Sequence, residues 1–201
     1  MILIIVAITS LISVYAFSNA DLVGRLSLKP TLVFHKHQYY RILSHSLVHA
    51  DWTHLIVNMY VLYIFGDVCN QYFEYYFGAS HTILFLALYF ASLVFSSLFS
   101  LFKHRNNQAY SAIGASGAVM AVVFTTIFFD PWNKLWFFGI VPIPGILFGI
   151  LYLIYSLYMG RKNIDNIGHD AHFTGAIFGF LFPLIVDFRL LTVFLEKLLN
   201  K

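Results

Sequence analysis

The sequence predicts an all-α membrane protein, six transmembrane helices packed as one domain over residues 1–201. Three observations predict it. Of the 201 residues, 60% are hydrophobic and only 10% charged, with a mean hydropathy of +0.77. Soluble domains carry about 25% charged residues, so this chain cannot clothe a water-facing surface and takes the bilayer as its solvent. The apolar residues also fall in six runs, and the polar groups within them gather at helix starts.

The first run is Ile2–Phe17. Ser18-Asn19-Ala20 resembles a small-residue cleavage site, but no Lys or Arg precedes the run. The run is therefore expected to remain as a helix of the bundle. The second and third, Trp52–Phe77 and His81–Phe102, meet the roughly 20 residues that a span needs. The fourth, Gly114–Phe129, rises about 1.5 Å per residue and falls short of the roughly 30 Å hydrocarbon core. Such a helix can begin below the membrane surface where a loop dips to meet it and protein surrounds that loop. The fifth, Pro144–Met159, opens with Val141-Pro142-Ile143-Pro144-Gly145 and lacks strong polar anchors. The sixth is Ala171–Phe188. Cys69, the single cysteine, allows no internal disulfide and reads as a packing residue. A net charge of +3 is too small to argue for nucleic acid.

In a serial bundle, helices 2, 4 and 6 run in one direction, so their N-terminal ends share a membrane face. The polar residues concentrate there. His45, His49, His54 and Asn58 lead into helix 2, Ser116 opens helix 4, and His169, Asp170 and His172 open helix 6. Ionisable groups inside a membrane are costly and mark function. Loops on that face hold Arg25, Lys29, Lys36, Arg41, Lys103, Arg105, Arg161 and Lys162, eight of the 12 Lys and Arg residues. Lys134, Arg189, Lys197 and Lys201 lie opposite. The positive-inside rule would turn the polar face toward the cytoplasm.

Each cluster has a chemical and a structural reading. A serine on a Gly-rich helix start has free N–H groups beside it, which suit a developing oxyanion. Gly114, Gly117, Ala118 and Ala121 equally make a small-residue packing face. His172, Gly175 and Gly179 share one face of helix 6, and Gly175 with Gly179 forms a close-contact GxxxG pair. A hydroxyl and a base are the parts for nucleophilic catalysis. His169 lies nearer the loop and reads as solvated, and Asp170 reads as the N-cap of helix 6. His54 and Asn58, one turn apart, can both donate to a negative oxygen. His pairs at that spacing also bind zinc, but no carboxylate or cysteine joins them. His45 and His49 read as loop anchors.

Together, His49-x4-His54-x3-Asn58, Gly114-Ala115-Ser116-Gly117 and Ala171-His172-x2-Gly175-x3-Gly179 resemble the rhomboid family of intramembrane serine proteases, from about Tyr40 to Gly179. The resemblance implies a six-helix rhomboid-like bundle with a Ser–His dyad: Ser116 as nucleophile and His172 as base. It implies His54, Asn58 and the Ser116 N–H as the oxyanion site, with Gly114, Gly117, Met120, Gly175 and Gly179 in support. The substrates it implies are transmembrane helices, cut near the outer membrane boundary, by a multi-pass protein of a bacterial cytoplasmic membrane. That places the active face outward, against the loop charges; long folded loops weigh less in that count. No metal, cofactor or nucleic acid is implied.

Some positions depart from the family pattern. Met120 stands where a tyrosine often stacks on the catalytic histidine. A Trp-Arg pair of the first loop is missing, and a glutamate at the end of helix 2 is replaced near Asn70. Ala115, not proline, precedes the serine. Two other readings stand beside the protease: an inactive rhomboid-like protein that binds transmembrane helices uncut, and a histidine-lined metal or transport protein. A substrate helix must unwind before cleavage, because its carbonyls are already hydrogen-bonded. Helix 5 is the expected movable wall.

Overall fold

The computed structural model describes residues 1–137, 141–162 and 168–200; Lys201, counted among the opposite-face cations, lies outside them. The six apolar runs are helices with nearly the expected bounds. They are α1 (Ile2–Phe17), α5 (Trp52–Phe77), α6 (His81–Lys103), α7 (Ser116–Phe129), α8 (Gly145–Lys162) and α9 (His169–Val186). Three short helices fill the first loop: α2 (Ala20–Leu26), α3 (Pro30–Lys36) and α4 (Arg41–Ser44).

Among the described residues, two stretches, Trp52–Lys103 and His169–Val186, are long and apolar enough to cross a membrane, while Ile2–Phe17 and Ser116–Phe129 are shorter apolar helices. The first stretch turns back at Gly78–Ser80, where Gly78 takes φ +55°. Asn70 Oδ1 lies 3.0 Å from His81 Nδ1, joining α5 to the start of α6 across that turn.

Helix α7 is the centre of the molecule. From Gly117 to Phe129 every side chain but Met120 is buried, although the helix is only about 21 Å long. α5, α6 and α9 surround it. α5 presents Leu55, Asn58, Met59, Leu62, Gly66, Cys69 and Phe73 inward at three- and four-residue spacing, the stripe of a helix with one packed face. Outward side chains such as Leu11, Ile56, Ile83, Leu151 and Ile185 are large, apolar and exposed, as contact with hydrocarbon allows.

The α7–α9 seam is the tightest. A Cβ on Gly175 would overlap the Gly117 carbonyl, and one on Gly179 the Ala121 carbonyl. Thr125 Oγ1 donates to the Gly179 carbonyl at 2.7 Å across the same seam. Without a hydrophobic drive between helices in lipid, small residues that let backbones touch supply the attraction.

Two elements were not expected. Lys134–Phe137 pairs antiparallel with Val141–Pro144 as a short β-hairpin within a mostly helical fold that fits the expected all-α class, and α8 starts after the prolines, at Gly145. The proline-rich run favours extended backbone. α10 (Leu190–Leu199) lies beyond the sixth run. Its Lys197 Nζ donates to the Phe129 carbonyl at 2.7 Å, a cation at the C-terminus of α7.

Candidate active site

The site forms where α5, α7 and α9 begin. Gly114 makes the turn into α7 with φ +106°, a conformation glycine adopts freely. His45 clamps this turn from both sides: the Gly114 N–H donates to the His45 carbonyl at 2.9 Å, and His45 Nδ1–H donates to the Gly114 carbonyl at 3.2 Å. Burial pushes the His45 imidazole down to about 4, so it is neutral at pH 7 and carries its proton on Nδ1. The loop before Gly114 is held by Leu28 and Ala112, paired N–H to carbonyl at 2.9 and 3.0 Å.

Ser116 is the first residue of α7, and its Oγ lies 2.6 Å from His172 Nε2. His172 sits in the first turn of α9, whose N-cap is Gly168. Three residues on, Gly175 rests on the Gly117 backbone, so the glycine seam fixes the separation of the two side chains. Both are half-buried.

Asp51 caps α5, accepting from the His54 N–H at 2.8 Å. The Ala50 N–H points at His54 Nδ1, 3.5 Å away. A ring nitrogen that accepts leaves the other to donate, so Nε2 carries the proton. The His54 Nε2 edge lies over Gly114: a Cβ built there would come within 2.8 Å of it. Asn58 is buried one turn further along α5, and its Nδ2 donates to the His54 carbonyl at 2.8 Å. The second N–H of that amide remains available. His49 anchors the loop, with Nδ1 2.9 Å from Ser13 Oγ. The Ser13 hydroxyl also donates to the Leu47 carbonyl at 2.8 Å, so the proton between Ser13 and His49 belongs to the imidazole. Burial, with neighbouring His54, pushes His49 down to about 3.

The structure thus gathers Ser116, His172, Gly114 and His54 at one point, with Asn58 below. A hydroxyl beside an imidazole acceptor, next to a helix N-terminus and an imidazole donor, can form and stabilise a tetrahedral oxyanion.

Two expectations need correction. His169 is buried at 4% exposure rather than solvated, because α9 begins two residues earlier than predicted. Asp170 is not the N-cap: it lies inside the first turn and pairs with Lys103 at 2.8 Å, directed toward α6 and away from His172. Met120 packs against the apolar clusters of the core, and Tyr152 of α8 brings an aromatic ring beside His172, at 6.4 Å between centroids and 25° between planes. Spacing within one helix could not have found Tyr152. Among the described residues, no three His, Cys, Asp or Glu side chains converge to hold a metal ion.

The model of the Rhomboid domain matches residues 36–187. The chain is 33% identical over 143 residues to a presenilin-associated rhomboid-like protein A, mitochondrial, of Danio rerio, covering 67% of this chain and 34% of that protein. It is 28% identical over 158 residues to a mitochondrial rhomboid-like protein 12 of Arabidopsis thaliana, covering 71% and 45%. Similarity to the chloroplastic rhomboid-like protein 11 of the same plant is 27% over 153 residues, covering 70% and 50%. The chain therefore spans from about a third to half the length of these relatives.

Proposed function

This chain belongs to the rhomboid family of integral membrane proteins, and on that premise we propose that it is an intramembrane serine endopeptidase. Its substrates are transmembrane helices, cut near the outer boundary of the membrane by Ser116 and His172. The observation that carries this reading is the 2.6 Å contact between Ser116 Oγ and His172 Nε2.

Nε2 takes the hydroxyl proton as Oγ attacks the scissile carbonyl. The oxyanion is met by the Ser116 N–H at the open start of α7, His54 Nε2–H and the free N–H of Asn58. The protonated His172 then gives its proton to the leaving amine, and water hydrolyses the acyl-enzyme by the same steps in reverse order. Gly117, Gly175 and Gly179 keep α7 and α9 close enough for the pair to meet, and Gly114 makes the turn that presents Ser116. A single domain of six membrane-crossing helices is part of this reading.

The active face is proposed to look outward. Supporting this, several cations of that face serve local structure. Arg41 is buried and donates to the Gly24 and Ser27 carbonyls at 3.0 and 2.7 Å. Lys103 pairs with Asp170, and Arg25 with Asp21. The expected bacterial cytoplasmic membrane belongs to the proposal as well; the relatives' names place two of those proteins in mitochondria and one in chloroplasts.

The test is labelling by a serine-directed fluorophosphonate. Wild type should label and should cleave a transmembrane substrate; Ser116→Ala and His172→Ala should each lose both. Residues that act as one unit are non-additive, so the double variant should be no slower than either single. A wild type that folds but neither labels nor cleaves would leave the helix-binding, non-catalytic reading in its place.

A further inference from the structure

We infer that Tyr152 is a positioning residue for His172, fixing the ring of the base from helix α8. This rests on the hydrolase reading above. The Tyr152 and His172 rings are near-parallel, 6.4 Å apart and inclined by 25°, within the range of offset aromatic stacking. The contact is one of a pair. Three residues along each helix, Tyr155 meets His169 edge-on at 5.5 Å, and His169 meets His172 edge-on at 6.1 Å. The same three-residue step on α8 and α9 keeps the two contacts in register.

Tyr152 is itself held. Phe148, one turn earlier on α8, stacks on it at 5.6 Å and 21°. Phe124 of α7 lies 6.0 Å away, on the helix that begins at Ser116. The ring thus bridges the helix of the nucleophile and the helix of the base. Among the described contacts, His172 is faced by Ser116 from α7, Tyr152 from α8 and His169 from its own helix. Asp170, the nearest carboxylate in sequence, is engaged by Lys103. The orienting force on His172 therefore includes an aromatic face, supplied by α8.

A base whose ring rocks spends less time with Nε2 directed at Ser116 Oγ, which lowers the rate of the chemical step and leaves substrate binding alone. The experiment measures the rate of fluorophosphonate labelling at Ser116, and kcat and KM on one transmembrane substrate. The proteins are wild type, Tyr152→Leu, Tyr152→Phe and Tyr158→Leu, the last at an exposed position on α8. An aromatic pair is worth enough to expect a loss of about 3- to 10-fold in both labelling and kcat for Tyr152→Leu, with KM within about twofold. Tyr152→Phe should recover most of that loss, because the ring and not the hydroxyl does the positioning. Tyr158→Leu should match wild type.

The small probe needs no opening for a helix. Labelling of Tyr152→Leu at the wild-type rate would overturn the inference, as would a change in KM alone or a loss in Tyr152→Phe equal to that in Tyr152→Leu. Should Tyr152→Leu unfold, Tyr152→Met keeps most of the volume without the ring and answers with the same readouts. If labelling of wild type survives Ser116→Ala, the hydrolase reading fails, and this failure is distinct from that of the Tyr152 inference.

Discussion

Gly175 rests on Gly117 with no room for a side chain between them: a Cβ at 175 would overlap the Gly117 carbonyl oxygen. Each glycine lies within one turn of a residue of the proposed dyad, so this backbone contact sets the distance between Ser116 and His172. Gly175→Ala and Gly179→Ala should therefore push α9 away from α7. Overpacking of this kind costs about 1–3 kcal/mol. The expected result is a lower midpoint of thermal unfolding in detergent, with a more than tenfold loss of cleavage. Wild-type midpoint and rate in Gly175→Ala would mean that the seam is looser than the structure has it.

His54→Ala and Asn58→Ala should slow turnover without abolishing it. The Ser116 N–H remains for the oxyanion, and losing one donor typically costs roughly 10²–10³ in rate. His54→Gln keeps an N–H donor and should lose less than His54→Ala. If kcat of either alanine variant equals wild type, that residue does not donate to the transition state.

Much of this site could be read in the sequence because its parts are local. Ser116, with the glycines around it, and the turn-spaced His54 and Asn58 each announce a helix start or a helix face. Serial topology then places all three starts on one side. The β-hairpin and α10 were not legible, since each is too short for a hydrophobic period to stand out and is fixed by contacts far away, such as Lys197 with the Phe129 carbonyl. His169 looked solvated because it precedes the apolar run; its burial follows from α9 starting at His169 itself and from Tyr155 covering its ring. Tyr152 was hidden for the same reason. Its neighbour His172 is 20 residues away in a different helix, and only the packing of α8 on α9 joins them.

Acid should destabilise the fold through its buried histidines. An ordinary imidazole titrates at 6.5, whereas His45 and His49 are held to about 4 and about 3 by burial. Above pH 6.5 folded and unfolded chains are both neutral at these sites. Below it the unfolded chain takes up protons that the folded chain refuses, so stability falls as pH drops from 6.5 toward 4 for His45 and toward 3 for His49. At about 1.4 kcal/mol per unit, the window is worth about 3.5 kcal/mol for His45 and about 5 kcal/mol for His49. Unfolding midpoints measured from pH 7.5 to 4.5 should decline, and His45→Gln, which keeps a donor for the Gly114 carbonyl, should decline less steeply. An identical slope in His45→Gln would assign the acid sensitivity elsewhere.

The last prediction concerns how a substrate helix reaches Ser116. Val61 and Phe65 of α5, with Phe148, Tyr152 and Leu153 of α8, cover one apolar cluster formed by Val123, Phe124, Ile127 and Ala176. α8 packs on α9 and on α7, and its start is tied to the β-hairpin rather than to α5. Within this cluster, separation of α8 from α5 would therefore part apolar side chains, which lipid or a substrate helix can cover in turn. Cysteines placed at Val61 and Phe148 and joined by a short bifunctional thiol reagent should block cleavage of a transmembrane substrate. Cys69 is fully buried and should not compete for the reagent. Labelling of Ser116 by the small fluorophosphonate should persist in the joined protein, because the probe needs no such opening. Cleavage that continues unchanged after complete joining would show that substrate enters elsewhere; loss of labelling together with cleavage would show that joining has distorted the site itself.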